Sequence, residues 1–145
     1  MPFDIEDMRR KAEAGLTPSQ CVLGLFYLYG YEVEKDYAKA FRFLSAAAEK
    51  GASRAVLNLG RMYAQGLGIP QNLPEAIRLF ERAAKLVDSS DGFAARIELA
   101  RIFAQGLGVP VDVKLAQKWY AAAVDVATDE DDPEELKEAR DSLNR

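Results

Sequence analysis

Apolar residues return along this chain in short stripes at helical spacing, each pair of stripes broken by a glycine-bearing loop. Ala76, Leu79, Phe80 and Ala83 recur at three- and four-residue steps, the signature of one buried helix face. Before that stripe the chain reads RMYAQGLGIP at 61–70, and it reads RIFAQGLGVP at 101–110. A weaker first copy carries Leu23, Gly24, Tyr27, Gly30, Val33, Asp36, Ala40, Phe43 and Ala47 where the second has Leu59, Gly60, Tyr63, Gly66, Ile69, Asn72, Ala76, Leu79 and Ala83. The spacing is 36 residues from Gly30 to Gly66 and 40 from Gly66 to Gly106. The four extra residues fall around Val87–Gly92, where SSDG reads as a loop.

Each copy predicts a helical hairpin. Gly30, Gly66 and Gly106 end a first helix, since glycine takes the left-handed C-terminal conformation without penalty. Pro70 and Pro110 stop the helix from continuing. Asp36, Asn72 and Asp112 stand where a second helix needs an N-cap, and Asn72 with Glu75 has capping-box spacing. Small residues at Gly24, Gly60, Ala100, Ala40, Ala76 and Ala116 allow close helix approach, with Tyr27, Tyr63, Phe103, Phe43 and Trp119 filling the space beside them. Residues 4–14 predict an N-terminal helix that matches only the second half of a repeat. Asp132, Pro133 and Glu135 predict a polar C-terminal helix over about 133–143. We therefore expect one all-α repeat domain over 1–145: a cap helix (1–14), repeats at 15–51, 52–91 and 92–127, then an acidic loop and cap helix at 128–145.

Composition narrows the chemistry. Apolar residues make up 49% and charged residues 29%, with a formal charge of −4, which offers no general attraction to nucleic acid or anionic lipid. There is no histidine, which removes the commonest general base and metal ligand near neutral pH. The single cysteine, Cys21, excludes an internal disulfide and reads as a small core residue or, less simply, a reactive thiol. Arg9, Arg10 and Lys11 precede the apolar run Val22–Tyr31, but Glu13, Thr17, Ser19 and Gln20 intervene, so no signal peptide is expected. No stretch reaches the roughly eighteen apolar residues of a membrane span. We expect a soluble cytoplasmic protein, monomeric or weakly dimeric, with no cofactor, metal or catalytic site.

The repeated motif resembles the Sel-one-like repeat (SLR) family, relatives of tetratricopeptide repeats. The second copy carries the family pattern at Ala55, Leu59, Gly60, Tyr63, Gly66, Gly68, Ile69, Asn72, Ala76, Ala83 and Ala84. The third carries it at Ala95, Leu99, Gly106, Gly108, Val109, Asp112, Ala116 and Trp119, with Ala100 and Phe103 as conservative departures. The first departs most, with Glu32 at the second glycine and Ser19 at the leading alanine. The resemblance covers about residues 15–127 and implies a right-handed α/α superhelix, a solenoid of three hairpins used as an adaptor or scaffold.

In such stacks the first helices line the concave side. The groove positions are then Cys21, Leu25, Leu28 and Tyr29, then Arg54, Leu57, Arg61, Ala64 and Gln65, then Ala94, Ile97, Arg101, Ala104 and Gln105. The recurrence of Arg61/Gln65 as Arg101/Gln105 suits acidic side chains or a peptide C-terminal carboxylate. The same arginines equally suit a structural role, while Leu25, Leu28 and Tyr29 suit burial under the N-terminal helix somewhat better than partner contact. The run Asp129–Glu135, six carboxylates in seven residues, is either a solvated helix cap or a site for a cation or basic partner. The expected function is a protein-interaction module. An immunity-type protein that neutralises a toxin by binding it is the alternative; an enzyme or a nucleic-acid binder is more distant.

Overall fold

The computed structural model describes residues 3–86 and 90–145, and every regular element among them is an α-helix. The helices are α1 (Ile5–Glu13), α2 (Thr17–Tyr29), α3 (Tyr37–Glu49), α4 (Ser53–Gln65), α5 (Leu73–Leu86), α6 (Ser90–Gln105), α7 (Val113–Val126) and α8 (Pro133–Leu143). The all-α repeat of hairpins holds: α2/α3 and α6/α7 are complete pairs, and α4 and α5 supply the two helices of the middle repeat. The chain divides into two compact units, Met1–Gln71 with α1–α4 and Asn72–Arg145 with α5–α8.

Each hairpin is punctuated as its residue types require. Gly30 and Gly66 sit at φ 74° and 66° as left-handed C-caps, and Gly106 matches them at φ 67°. The next amides, on Tyr31, Leu67 and Leu107, donate to the carbonyls of Phe26, Met62 and Ile102, which satisfies a helix end that would otherwise be unpaired. Asp36, Asn72 and Asp112 accept from the backbone N–H of Lys39, Glu75 and Leu115 at 3.0–3.1 Å, so all three expected N-caps form. The Glu75 carboxylate accepts from Arg78.

Repeat-to-repeat contact explains the second loop glycine. A Cβ on Gly68 would run into Cβ of Tyr37, the first residue of α3. One on Gly108 would come within 2.8 Å of Leu73 at the start of α5. In the first repeat Glu32 occupies the matching position at φ 60°, the one non-glycine with positive φ among the described residues. Within a hairpin, a Cβ on Gly24 would lie 2.7 Å from the Leu44 side chain and 3.1 Å from its backbone nitrogen. That is the close approach the small residues were expected to permit.

In the N-terminal unit the core is built from Leu23, Tyr27, Leu28, Ala40, Phe43, Leu44 and Ala47 with Ala55, Val56, Leu57, Leu59 and Met62. Tyr27 stacks on Phe43 at 6.2 Å, whereas Tyr63 is half-buried and edge-on to Phe41. Gln20 and Ser19 are buried polar residues on α2. Gln20 donates to the Ala12 carbonyl and accepts from Lys50, which also reaches the Gly15 carbonyl, so α1 is tied to both α2 and α3. In the C-terminal unit Phe93, Ile97, Ala100, Tyr120, Ala123 and Ala139 form one cluster, and Trp119 is only half-buried against it.

Two expectations are corrected here. SSDG is not a loop throughout: α6 begins at Ser90, so Ser90, Asp91 and Gly92 are helical, and Val87–Ser89 lie outside the described residues. Asp91 in the first turn suits the helix dipole, and Gly92 is buried. Leu28, expected in the groove, is 3% exposed and belongs to the core, as do Leu57 at 3% and Ile97 at 0%.

Candidate partner-binding face

The first helices of the N-terminal unit, α2 and α4, pack against each other and against α3. Neither helix contains a carboxylate, and α4 brings Arg54 and Arg61. Of the residues expected to bind, Arg54 and Gln65 are exposed and Arg61 and Leu25 are half-buried. Tyr29 is 44% exposed, its ring 5.8 Å from that of the still more exposed Tyr31.

Asn58 organises this face, and the sequence reading missed it. It is 3% exposed, accepts from the Tyr29 hydroxyl at 2.7 Å and donates to the Arg54 carbonyl at 2.9 Å. Its side chain thus fixes the ring of Tyr29 in α2 while staying fully satisfied in α4. The available signal was an asparagine inside the apolar run AVLNLG, where an unpaired amide would be costly.

The second pair of the recurrence, Arg101 and Gln105, lies in the C-terminal unit. Gln105 is exposed, but Arg101 is engaged within its own unit. Its Nε donates to both oxygens of Glu138 in α8 at 3.1 Å and its Nη2 to Oε2 at 2.6 Å, with Nη1 3.4 Å from Glu135 and 3.7 Å from Glu98. The Tyr120 hydroxyl of α7 adds a 2.8 Å bond to Glu138. The Arg101 guanidinium and the Tyr120 hydroxyl hold the Glu138 carboxyl below the usual glutamate range against a smaller opposing effect of burial. Tyr120 is pushed up to about 12, first by burial and then by its bond to the carboxylate.

The acidic run is mostly an exposed helix lead-in, with one buried member. Asp132 caps α8 by accepting from the N–H of Glu134 and Glu135. Asp131 is 7% exposed and accepts from the Thr128 backbone N–H at 2.7 Å, which closes the loop before α8. Among the described residues no group of three or more His, Cys, Asp or Glu is placed to hold a metal ion. Cys21 is half-buried on α2. Among the described residues no helix is long and apolar enough to cross a membrane.

Comparison with known proteins agrees with this architecture. The Sel1 repeat pattern matches residues 17–51, 53–88 and 94–125. A Sel1 repeat protein from Oxalobacter formigenes is 32% identical, with a TM-score of 0.70 over 95% of this chain and 98% of its own. A protective antigen of uropathogenic Escherichia coli with an SLR fold is 34% identical, with a TM-score of 0.76 over 86% of this chain and 26% of its own. The rat protein DAP3-binding cell death enhancer 1 is 34% identical over 79 residues, which cover 54% of this chain but only 15% of that relative. With three matched repeats spanning most of its length and the hairpin geometry described above, this chain belongs to the Sel1 repeat family.

Proposed function

We propose that the chain is a protein-interaction module that binds a partner on the α2–α4 face, through acidic and apolar side chains of that partner. The observation that carries this reading is the composition of the face: two arginines, no carboxylate on either helix, and the half-exposed Tyr29 held in place by Asn58. Aromatic residues and arginines are the side chains that most often anchor interfaces, and a ring fixed before binding loses little freedom on contact. Leu25 beside Tyr29 adds apolar area, and Arg54, Arg61 and Gln65 supply donors suited to carboxylates or a peptide C-terminus. The relative from rat is named for binding another protein, DAP3, which supports the same class of activity.

The test is a charge reversal. A partner captured with tagged protein is titrated against Arg54→Glu/Arg61→Glu, with circular dichroism as the control for folding. The double variant should keep its helical spectrum and lose at least about thirtyfold in affinity, the effect of truncating one anchoring arginine or more. A folded double variant that binds normally overturns the reading.

A further inference from the structure

The last helix, α8, has the register of a first helix without its side chains. It begins at Pro133, 80 residues after Ser53 of α4, and Asp132 stands where Ala52 precedes α4. Ala139 then takes the place of Leu59 and Leu99, and is fully buried like Leu99. Two neighbouring positions depart. Arg140, exposed, stands where the repeats have Gly60 and Ala100, and Ser142 stands where they have the buried Met62 and Ile102.

Each departure has a visible consequence. Arg140 puts a long charged side chain where the earlier first helices carry a small residue. Ser142 leaves space: beside it lies an open, mostly apolar pocket of about 170 Å³ lined by Ala104, Val113, Ala116 and Tyr120 together with the polar Gln117 and Arg145. An apolar cavity of about that size accepts a group as large as benzene. What α8 gives to the core beneath it is Ala139 and the partly buried Leu136, while its polar hold comes from Glu138 and Glu135 on Arg101 and from Glu138 and Ser142 on the Tyr120 hydroxyl.

We infer that α8 is a displaceable cover on a helix-binding face formed by α6 and α7, and that the face takes an amphipathic partner helix. The cover itself defines the partner's chemistry: a carboxylate at the Glu138 place to meet Arg101 and Tyr120, and a large aliphatic side chain at the Ser142 place to fill the pocket. Being tethered, α8 competes at an effective concentration of order millimolar. A partner helix therefore needs the better filling of the pocket to win. This surface belongs to α6 and α7 and does not depend on the α2–α4 reading.

The probe is a helix-stapled peptide spanning Pro133–Arg145 with Ser142→Met, added to the full chain carrying Glu138→Gln, in which the cover is weakened and Arg101 kept. Fluorescence anisotropy should show binding, with a peptide that also carries Glu138→Gln at least about tenfold weaker. The full chain with Ser142→Met, its own pocket filled, should bind neither peptide. No binding to the Glu138→Gln chain, or equal binding of the two peptides, overturns the inference. Should that chain fail to fold, the wild-type chain gives a second reading by hydrogen exchange. The amides of α8 should exchange at least about tenfold faster than those of α7, and equal protection of the two helices refutes a displaceable cover.

Discussion

Arg101→Ala is the perturbation whose cost the structure fixes best. The guanidinium is 30% exposed and meets Glu138 and Glu135, themselves 33% and 24% exposed. Exposed ion pairs contribute under about 1 kcal/mol, whereas removing one partner of a buried pair costs about 3–5 kcal/mol because a charge is left uncompensated. A half-buried cluster that loses the guanidinium facing Glu138, Glu135 and Glu98 falls between, at about 2 kcal/mol. For a chain of this length that is a fall of about 6 °C in Tm, measured by thermal circular dichroism. The pH dependence supplies a second check. Arg101 depresses the Glu138 pKa in the folded state, so its stabilisation is present above the unfolded glutamate value and is lost as pH falls through the folded one. The Tm gap between wild type and Arg101→Ala should therefore be full at pH 7 and shrink markedly towards pH 3. A gap below about 1 °C at pH 7, or one that does not change with pH, would show that Arg101 does not stabilise the fold through Glu138. Arg101→Lys should recover part of the loss, since lysine keeps the charge but not the fork that spans both oxygens of Glu138.

Three glycine-related variants test the repeat geometry. Gly68→Ala should cost about 2 kcal/mol or more in urea unfolding, because the left-handed backbone penalty of about 1–2 kcal/mol adds to the collision with Tyr37. Glu32→Gly, at the matching place in the first repeat, should instead stabilise by about 0.5–1 kcal/mol by relieving a side chain held at φ 60°. Gly24→Ala has no such backbone penalty, yet it should cost about 1–3 kcal/mol through overpacking on Leu44, including its backbone. Equal effects of alanine at Gly68 and glycine at Glu32 would show that loop–helix contact does not set these positions.

What the sequence made legible was local. The caps at Asp36, Asn72 and Asp112 and the left-handed glycines depend on residues a few positions apart, and all formed at the expected places. What it hid was set by stacking. The partner of Arg101 is Glu138, 37 residues away, and the pairing exists only because α8 lands in the register of a first helix. Leu28 was misplaced because a helix face read from one fixed point takes no account of α4 lying against α2. SSDG was misread because serine, aspartate and glycine favour loops, yet serine and aspartate also favour a helix's first turn, and there they lie.

Docking of a protein partner on α2 and α4, as proposed, is open to site-specific photo-crosslinking in the native cells. A photoreactive residue replaces Leu25, Tyr29 or Gln65 in turn, and, as controls, exposed Arg42 or Glu49 on α3. All three first-helix positions should crosslink the same protein, the α3 positions should not, and Arg54→Glu/Arg61→Glu should abolish the adduct. Crosslinking confined to the α3 positions, or adducts at Leu25, Tyr29 and Gln65 that survive the charge reversal, would contradict docking on this face.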